Sequence, residues 1–160
     1  MTADKDRKFL LEAIELAKKG VERGAGGPFG CVIVKDGMIV GKGHNQVTSS
    51  NDPTAHAEIV AIRDACSNLG AYQLSGCDLY TSCEPCPMCL GAIYWARPGR
   101  VIYACTRHEA SDAGFDDAII YDEINVPAGE RKIPFDHQCM SEAVALFELW
   151  KEKGDKRSIR

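Results

Sequence analysis

Apolar residues near the start of the chain recur at helical spacing: Phe9, Ala13, Ile14, Ala17 and Val21 share a face, Asp4 and Asp6 can cap its start, and Gly20 and Gly24 end the pattern. An amphipathic helix is predicted there. Two short apolar runs, 31–34 and 38–40, flank Lys35-Asp36-Gly37, the composition of a tight hairpin turn, and predict two antiparallel strands. After Asp52-Pro53-Thr54, the steps between Ile59, Ile62, Cys66 and Leu69 describe one face of a second helix. Residues 78–82 read as a strand. Pro85-Cys86-Pro87 opens a third helix, because proline suits a first turn whose N–H lacks a partner, and that helix runs to Ala96 before Arg97-Pro98-Gly99. Residues 100–104 return as a strand. Beyond Cys105, 114–124 reads as irregular, 126–134 carries turn residues, and 141–153 closes the chain as a helix.

The order helix, hairpin, helix, strand, helix, strand asks for a mixed sheet covered by helices, a three-layer α/β/α sandwich. A chain of 160 residues suits one domain, 1–160, with its own core. The net charge of −4 offers little attraction for phosphates, which counts against a polynucleotide substrate. The polar start of the chain has no secretory pattern and no apolar run is long enough to span a membrane, so a soluble cytoplasmic protein is expected. In that setting the eight cysteines are reduced thiols or metal ligands rather than a disulfide framework.

Chemistry concentrates in His56-Ala57-Glu58 and Pro85-Cys86-Pro87-Met88-Cys89. A His-x-Glu followed by Pro-Cys-x-x-Cys is the signature of zinc deaminases. Cys86 and Cys89 are three apart on one helical face, at a helix start whose free N–H groups stabilise thiolates. With His56 as third ligand, a tetrahedral zinc, one per subunit, keeps an open position for water, whose pKa it lowers from about 15.7 to about 7. Glu58 is the expected general acid and base. Mid-helix, a spacing of two would point it away from His56, so both can address one cavity only near a helix start. Cys83 completes a Cys-x-x-Cys-x-x-Cys run, and a closed structural site with three cysteines and His56 is the alternative. Cys31, Cys66, Cys77, Cys105 and Cys139 are expected to fill core space.

Gly26-Gly27-Pro28-Phe29-Gly30, Asn51 to Glu58, Leu69-Gly70-Ala71-Tyr72-Gln73-Leu74, Tyr80 to Arg97 and Gly114-Phe115-Asp116-Asp117 resemble the nucleobase deaminases of the cytidine deaminase-like fold, and among them the bacterial guanine deaminases. The resemblance implies a central mixed five-stranded sheet and hydrolysis of guanine to xanthine and ammonia, zinc-bound hydroxide attacking the amino-bearing ring carbon while Glu58 shuttles the proton. It also implies a small purine base as partner, without nucleic acid or membrane, and a homodimer. Asn45 would hydrogen-bond the base, Ala57 would offer backbone contacts, Phe29 would line the ring pocket, and Asp117 or Asp116 would read the far edge. Asn45 could equally make a local turn, Phe29 could pack in the core, and either aspartate could cap a helix.

In such enzymes the C-terminal segment, here about 141–160, crosses to the partner subunit and carries an aromatic near its end. Residues 151–160 have no aromatic. The basic cluster Lys151, Lys153, Lys156, Arg157 and Arg160 reads as a solvated end. The zinc motif alone does not separate guanine from guanosine, cytosine or transfer-RNA adenosine, and a non-catalytic module stabilised by zinc would have no need of Glu58.

Overall fold

The computed structural model describes residues 2–157; Met1 and 158–160, Arg160 among them, lie outside it. In chain order the elements are α1 (Thr2–Glu22), β1 (Gly30–Lys35), β2 (Met38–His44), α2 (Val47–Ser50), α3 (Ala57–Leu69), β3 (Cys77–Cys83), α4 (Pro87–Ala96), β4 (Arg100–Cys105), α5 (Arg107–Asp112), α6 (Ala118–Ile124), a 3-10 turn (Ala128–Glu130) and α7 (Ser141–Glu152). They fall into two compact units, Met1–Ala118 and Ile119–Arg160.

The first unit is built on a sheet of order β2-β1-β3-β4. β1 runs antiparallel to β2 and β3, and β3 is parallel to β4. The β1–β2 hairpin closes through Asp36 and Gly37, with φ of 50° and 80°, which suits the positive-φ twist of a two-residue turn. Alternation along the strands then builds two cores. Cys31, Ile33, Cys77 and Leu79 face α3 and α4, while Val32, Val34 and Tyr80 meet Phe9 of α1 on the other face. The mixed sheet with helices on both sides is the expected architecture. It has four strands among the described residues, not the expected five. After β4 the chain lacks an alternating apolar run: a capping box of Thr106 and Glu109 starts α5, and Ala118–Ile124, expected to be irregular, winds as α6.

Helix α3 lies unusually close to β2. A Cβ on Gly43 would stand 2.3 Å from the Ala57 carbonyl oxygen, and one on Gly41 would stand 2.6 Å from that of Ala61. Ala57, Ala61 and Ala65 are fully buried along this contact. Glycine is required here by the approach of two backbones. Ile59, Ile62, Cys66 and Leu69, the face read from spacing, are only half-buried.

The cysteine expectation holds in part. Cys31 and Cys77 are buried and Cys66 is half-buried, but Cys105 and Cys139 are exposed. Cys105 ends β4, the last strand of the sheet, and so lacks a neighbouring strand to cover it. Cys139 belongs to the second unit, in which no described residue is buried. There α7 exposes Val144, Leu146, Phe147, Leu149 and Trp150. Local contacts order the segment before it: Arg131 Nε donates to the Val126 carbonyl at 3.0 Å and its guanidinium lies 4.8 Å from the Phe135 ring centroid. Among the described residues no helix is long and apolar enough to cross a membrane.

Candidate metal centre and catalytic site

Two helix starts meet at the site. His56 is the N-cap of α3 and Cys86 the N-cap of α4, both with extended backbone, and Pro87 occupies the first turn of α4. Cys89 follows on the same helical face, one turn along. The His56 Nδ1 atom lies 3.5 Å from Cys86 Sγ and 3.5 Å from Cys89 Sγ. A tetrahedral zinc with a sulfur at about 2.3 Å and a nitrogen at about 2.0 Å separates those atoms by about 3.5 Å, so the donor set fits that ion. Among the described residues this trio is the group able to hold a metal.

The Cys86 thiol is brought down to about 4, first by the hydrogen bond from Cys89 and then, against burial, by that from His56. Cys89 moves the opposite way, held protonated chiefly by its bond to Cys86 and by burial. The Cys86 contact raises the His56 pKa.

Cys83 stands apart from this cluster. Its Sγ faces the Thr106 carbonyl at 3.7 Å, and burial lifts its thiol to about 11. The closed three-cysteine arrangement is therefore not formed, and three donors leave one tetrahedral position open.

Glu58, one residue into α3, is 5% exposed. Its Oε2 accepts from Cys89 Sγ at 3.4 Å, beside the metal donors, and its Oε1 accepts from Thr81 Oγ1 at 3.1 Å. Burial raises its carboxyl pKa, as suits a group that must hold a proton during turnover. The extended backbone of His56 resolves the spacing problem: the helix begins between the two residues, so both address one cavity. Thr81, which bonds the Glu58 carboxylate, is a residue that the motifs do not point to. It lies two residues beyond Leu79 on the β3 face turned to α3, so strand alternation is the signal that could find it.

The remaining expected residues come from loops. Asn45, just after β2, is buried; its N–H donates to the Phe29 carbonyl at 3.0 Å, and the next N–H, of Gln46, reaches the Ala55 carbonyl at 2.9 Å, next to His56. Phe29 is half-buried and packs edge-on against Phe115, with ring centroids 4.9 Å apart. Ala57 is the first residue of α3, where an N–H has no intrahelical partner. The two aspartates separate. Asp116 Oδ1 accepts from the Ala118 N–H at 2.9 Å, a local loop bond, whereas Asp117 is half-buried with its pKa raised by burial and then by the Cys86 charge.

Residues 3–105 match the family described as the cytidine and deoxycytidylate deaminase zinc-binding region. The chain is 60% identical over 149 residues to guanine deaminase of Bacillus subtilis, covering 93% of this chain and 96% of that one. The X-ray structure of guanine deaminase from Bacillus subtilis superposes with a TM-score of 0.94 at 58% identity, covering 96% of this chain and 98% of that chain. A transfer-RNA-specific adenosine deaminase of Aquifex aeolicus is 35% identical over 146 residues, 91% of this chain and 93% of its own.

Proposed function

The chain belongs to the family of deaminases that share the cytidine and deoxycytidylate deaminase zinc-binding region, and from that premise we infer that it hydrolyses guanine to xanthine and ammonia. The observation that carries guanine is the near end-to-end likeness to a guanine deaminase, in sequence and in structure. The chemistry rests on the carboxylate of Glu58 lying beside a three-donor metal site.

His56, Cys86 and Cys89 would hold zinc, which, when bound, acts as a Lewis acid that acidifies the attacking water at the open position. Glu58 takes the proton released by that water. It passes that proton to the ring nitrogen next to the attacked carbon and then carries the second proton, from the new hydroxyl, to the departing amine; the carbonyl forms as the carbon–nitrogen bond breaks, so water and guanine yield xanthine and ammonia. Thr81 holds one carboxylate oxygen so that the other stays turned to the metal donors. Phe29, braced by Phe115, walls the flat ring, Asn45 and the Ala57 N–H contact its polar edge, and Asp117 reads the far edge. Asp116 has one carboxylate oxygen committed to its loop bond, which favours Asp117 for that role.

The same reading takes the protein to be a cytoplasmic homodimer in which the segment 141–160 exchanges between subunits. Its support is the exposed apolar face of α7, together with the exposed Tyr94 and Trp95 of α4 and Tyr103 of β4, more apolar surface than a monomer ordinarily leaves bare.

Ammonia release by the zinc-loaded protein tests the substrate, with guanine, guanosine, cytosine and adenine run in parallel. Release from guanine alone is expected. Release from guanosine and not guanine would retain the chemistry and overturn the substrate.

A further inference from the structure

Asn45 is held in one orientation by a loop whose sequence no catalytic role explains. The Asn45 side-chain oxygen accepts the Gly27 N–H at 3.2 Å and the Val47 N–H at 3.2 Å, from segments before and after it in the chain. An asparagine amide has one oxygen with two lone pairs and one NH2 with two hydrogens. Both lone pairs are thus used. Turning the amide over would set its NH2 against two N–H donors, losing two hydrogen bonds in a site only 7% exposed. Among the described residues the amide nitrogen has no protein partner and no fully buried side-chain nitrogen or oxygen lacks one, so this nitrogen opens onto accessible space.

Gly26 makes that arrangement possible. A Cβ there would stand 2.2 Å from Asn45 Oδ1, 2.6 Å from its backbone oxygen and 2.9 Å from its carbonyl carbon. The Gly26 backbone is not in the left-handed region, so only space demands glycine. At Gly27 an added Cβ would meet the rings of Phe29 at 3.1 Å and Phe115 at 3.2 Å, the same pair that walls the pocket.

We propose that Gly26 and Gly27 are positioning residues that fix the Asn45 amide with its oxygen toward the loop and its NH2 toward the base, making Asn45 a donor that selects an acceptor atom on the substrate. The acceptor is a carbonyl oxygen or an unprotonated ring nitrogen; an amino group in that place finds no partner. This rests on the purine-base reading of the site, with Asn45 at the edge of the base. Gly26 acts through Asn45 and touches no reacting atom itself.

The test is a double-mutant cycle on the zinc-loaded enzyme. Gly26→Ala is expected to raise KM for guanine about tenfold with a smaller change in kcat, as loss of a ground-state hydrogen bond does. In the Asn45→Ala background the same substitution should cost clearly less kcat/KM than in wild type, because the amide it displaces is gone and only the close approach to the residue-45 backbone remains. Equal losses in both backgrounds, or losses that follow zinc content, overturn the proposal. Asn45→Asp gives a second reading without altering the loop bonds, since a carboxylate still accepts from Gly27 and Val47. Asp presents an acceptor where the amide presents a donor, so it should lose more kcat/KM than Asn45→Ala; an equal or smaller loss overturns the donor assignment. Wild-type enzyme silent on guanine but active on another base would refute the substrate and leave the cycle to be read with that base.

Discussion

In the unit Met1–Ala118, Phe9, Val32, Ile33, Leu74, Leu79 and Tyr80 are buried between sheet and helices; in the unit Ile119–Arg160, no described residue is buried and the largest apolar side chains of α7 stand in solvent. The first unit closes its own core and contains every residue assigned to catalysis or base recognition. The second has the composition of a core without its cover. A short amphipathic helix draws most of its stability from packing of its apolar face, and on α7 that face is exposed. One chain thus combines a body with a closed core and a segment whose apolar face is exposed.

That contrast makes Glu58→Gln the most damaging change. It should lower kcat by about a hundredfold to ten-thousandfold, the range for loss of a general acid and base, while metal analysis still finds one zinc per chain. Full activity in that variant would remove the catalytic assignment of the first unit. Next comes Phe147→Asp, placed where a 69% exposed ring stands on α7. If the second unit is covered by a partner, sedimentation should show the dimer weakened by at least about tenfold, since burying such a side chain stabilises by about 1.5–3 kcal/mol. An unchanged association would mean that this face is not the interface.

Thr81→Val should act within the first unit and leave association alone. It removes one hydrogen bond to Glu58, so a fall in kcat of about tenfold with zinc retained is expected from steady-state rates. The smallest effect concerns the clamp at the start of α1, where Arg100 donates to Asp6 at 3.0 and 2.7 Å, to Asp78 at 3.1 Å and to the Tyr80 hydroxyl at 3.1 Å. Arg100, then Tyr80, lowers the Asp6 pKa below the usual 3.8, so its contribution is present above that value and is lost as pH falls through the lowered one. Burial, then Asp6, raises the Tyr80 phenol above the usual 10.0, so its contribution is present below that value and fades as pH rises through the raised one. Arg100→Ala should therefore lower the melting temperature modestly above pH 3.8, with the difference from wild type shrinking as pH falls through the lowered Asp6 value.

The parts legible in the sequence are those set by neighbours in the chain. Asp36-Gly37 announces its hairpin because the turn needs positive φ at both residues, and the zinc donors announce themselves because a helix start and a three-residue step suffice to pair two thiols. The Thr106 to Glu109 capping box is equally local, a Thr-x-x-Glu before a helix, but the segment lacks the apolar pattern that would draw attention to it. The rest depends on contacts between distant segments. Nothing in 57–69 alone says that Ala57, Ala61 and Ala65 form the tight face rather than the larger Ile59 and Ile62; that follows only when Gly41 and Gly43 are laid against them. Asp116 and Asp117 look alike in the sequence, and the fold distinguishes them by committing one to a loop bond and half-burying the other. The fifth strand is an expectation from likeness alone, and the residues after Cys105 coil into helices instead.

The metal donors and Glu58 are rooted in helices packed against the sheet, while three of the four groups assigned to the base, Phe29, Asn45 and Asp117, hang from connecting loops and only Ala57 lies on α3. Reactivity and recognition are therefore inherited separately. Insertions or exchanges in those loops can redirect the protein toward a different ring without disturbing the machinery that splits the carbon–nitrogen bond, which makes the scaffold a natural starting point for selecting new substrates in the laboratory.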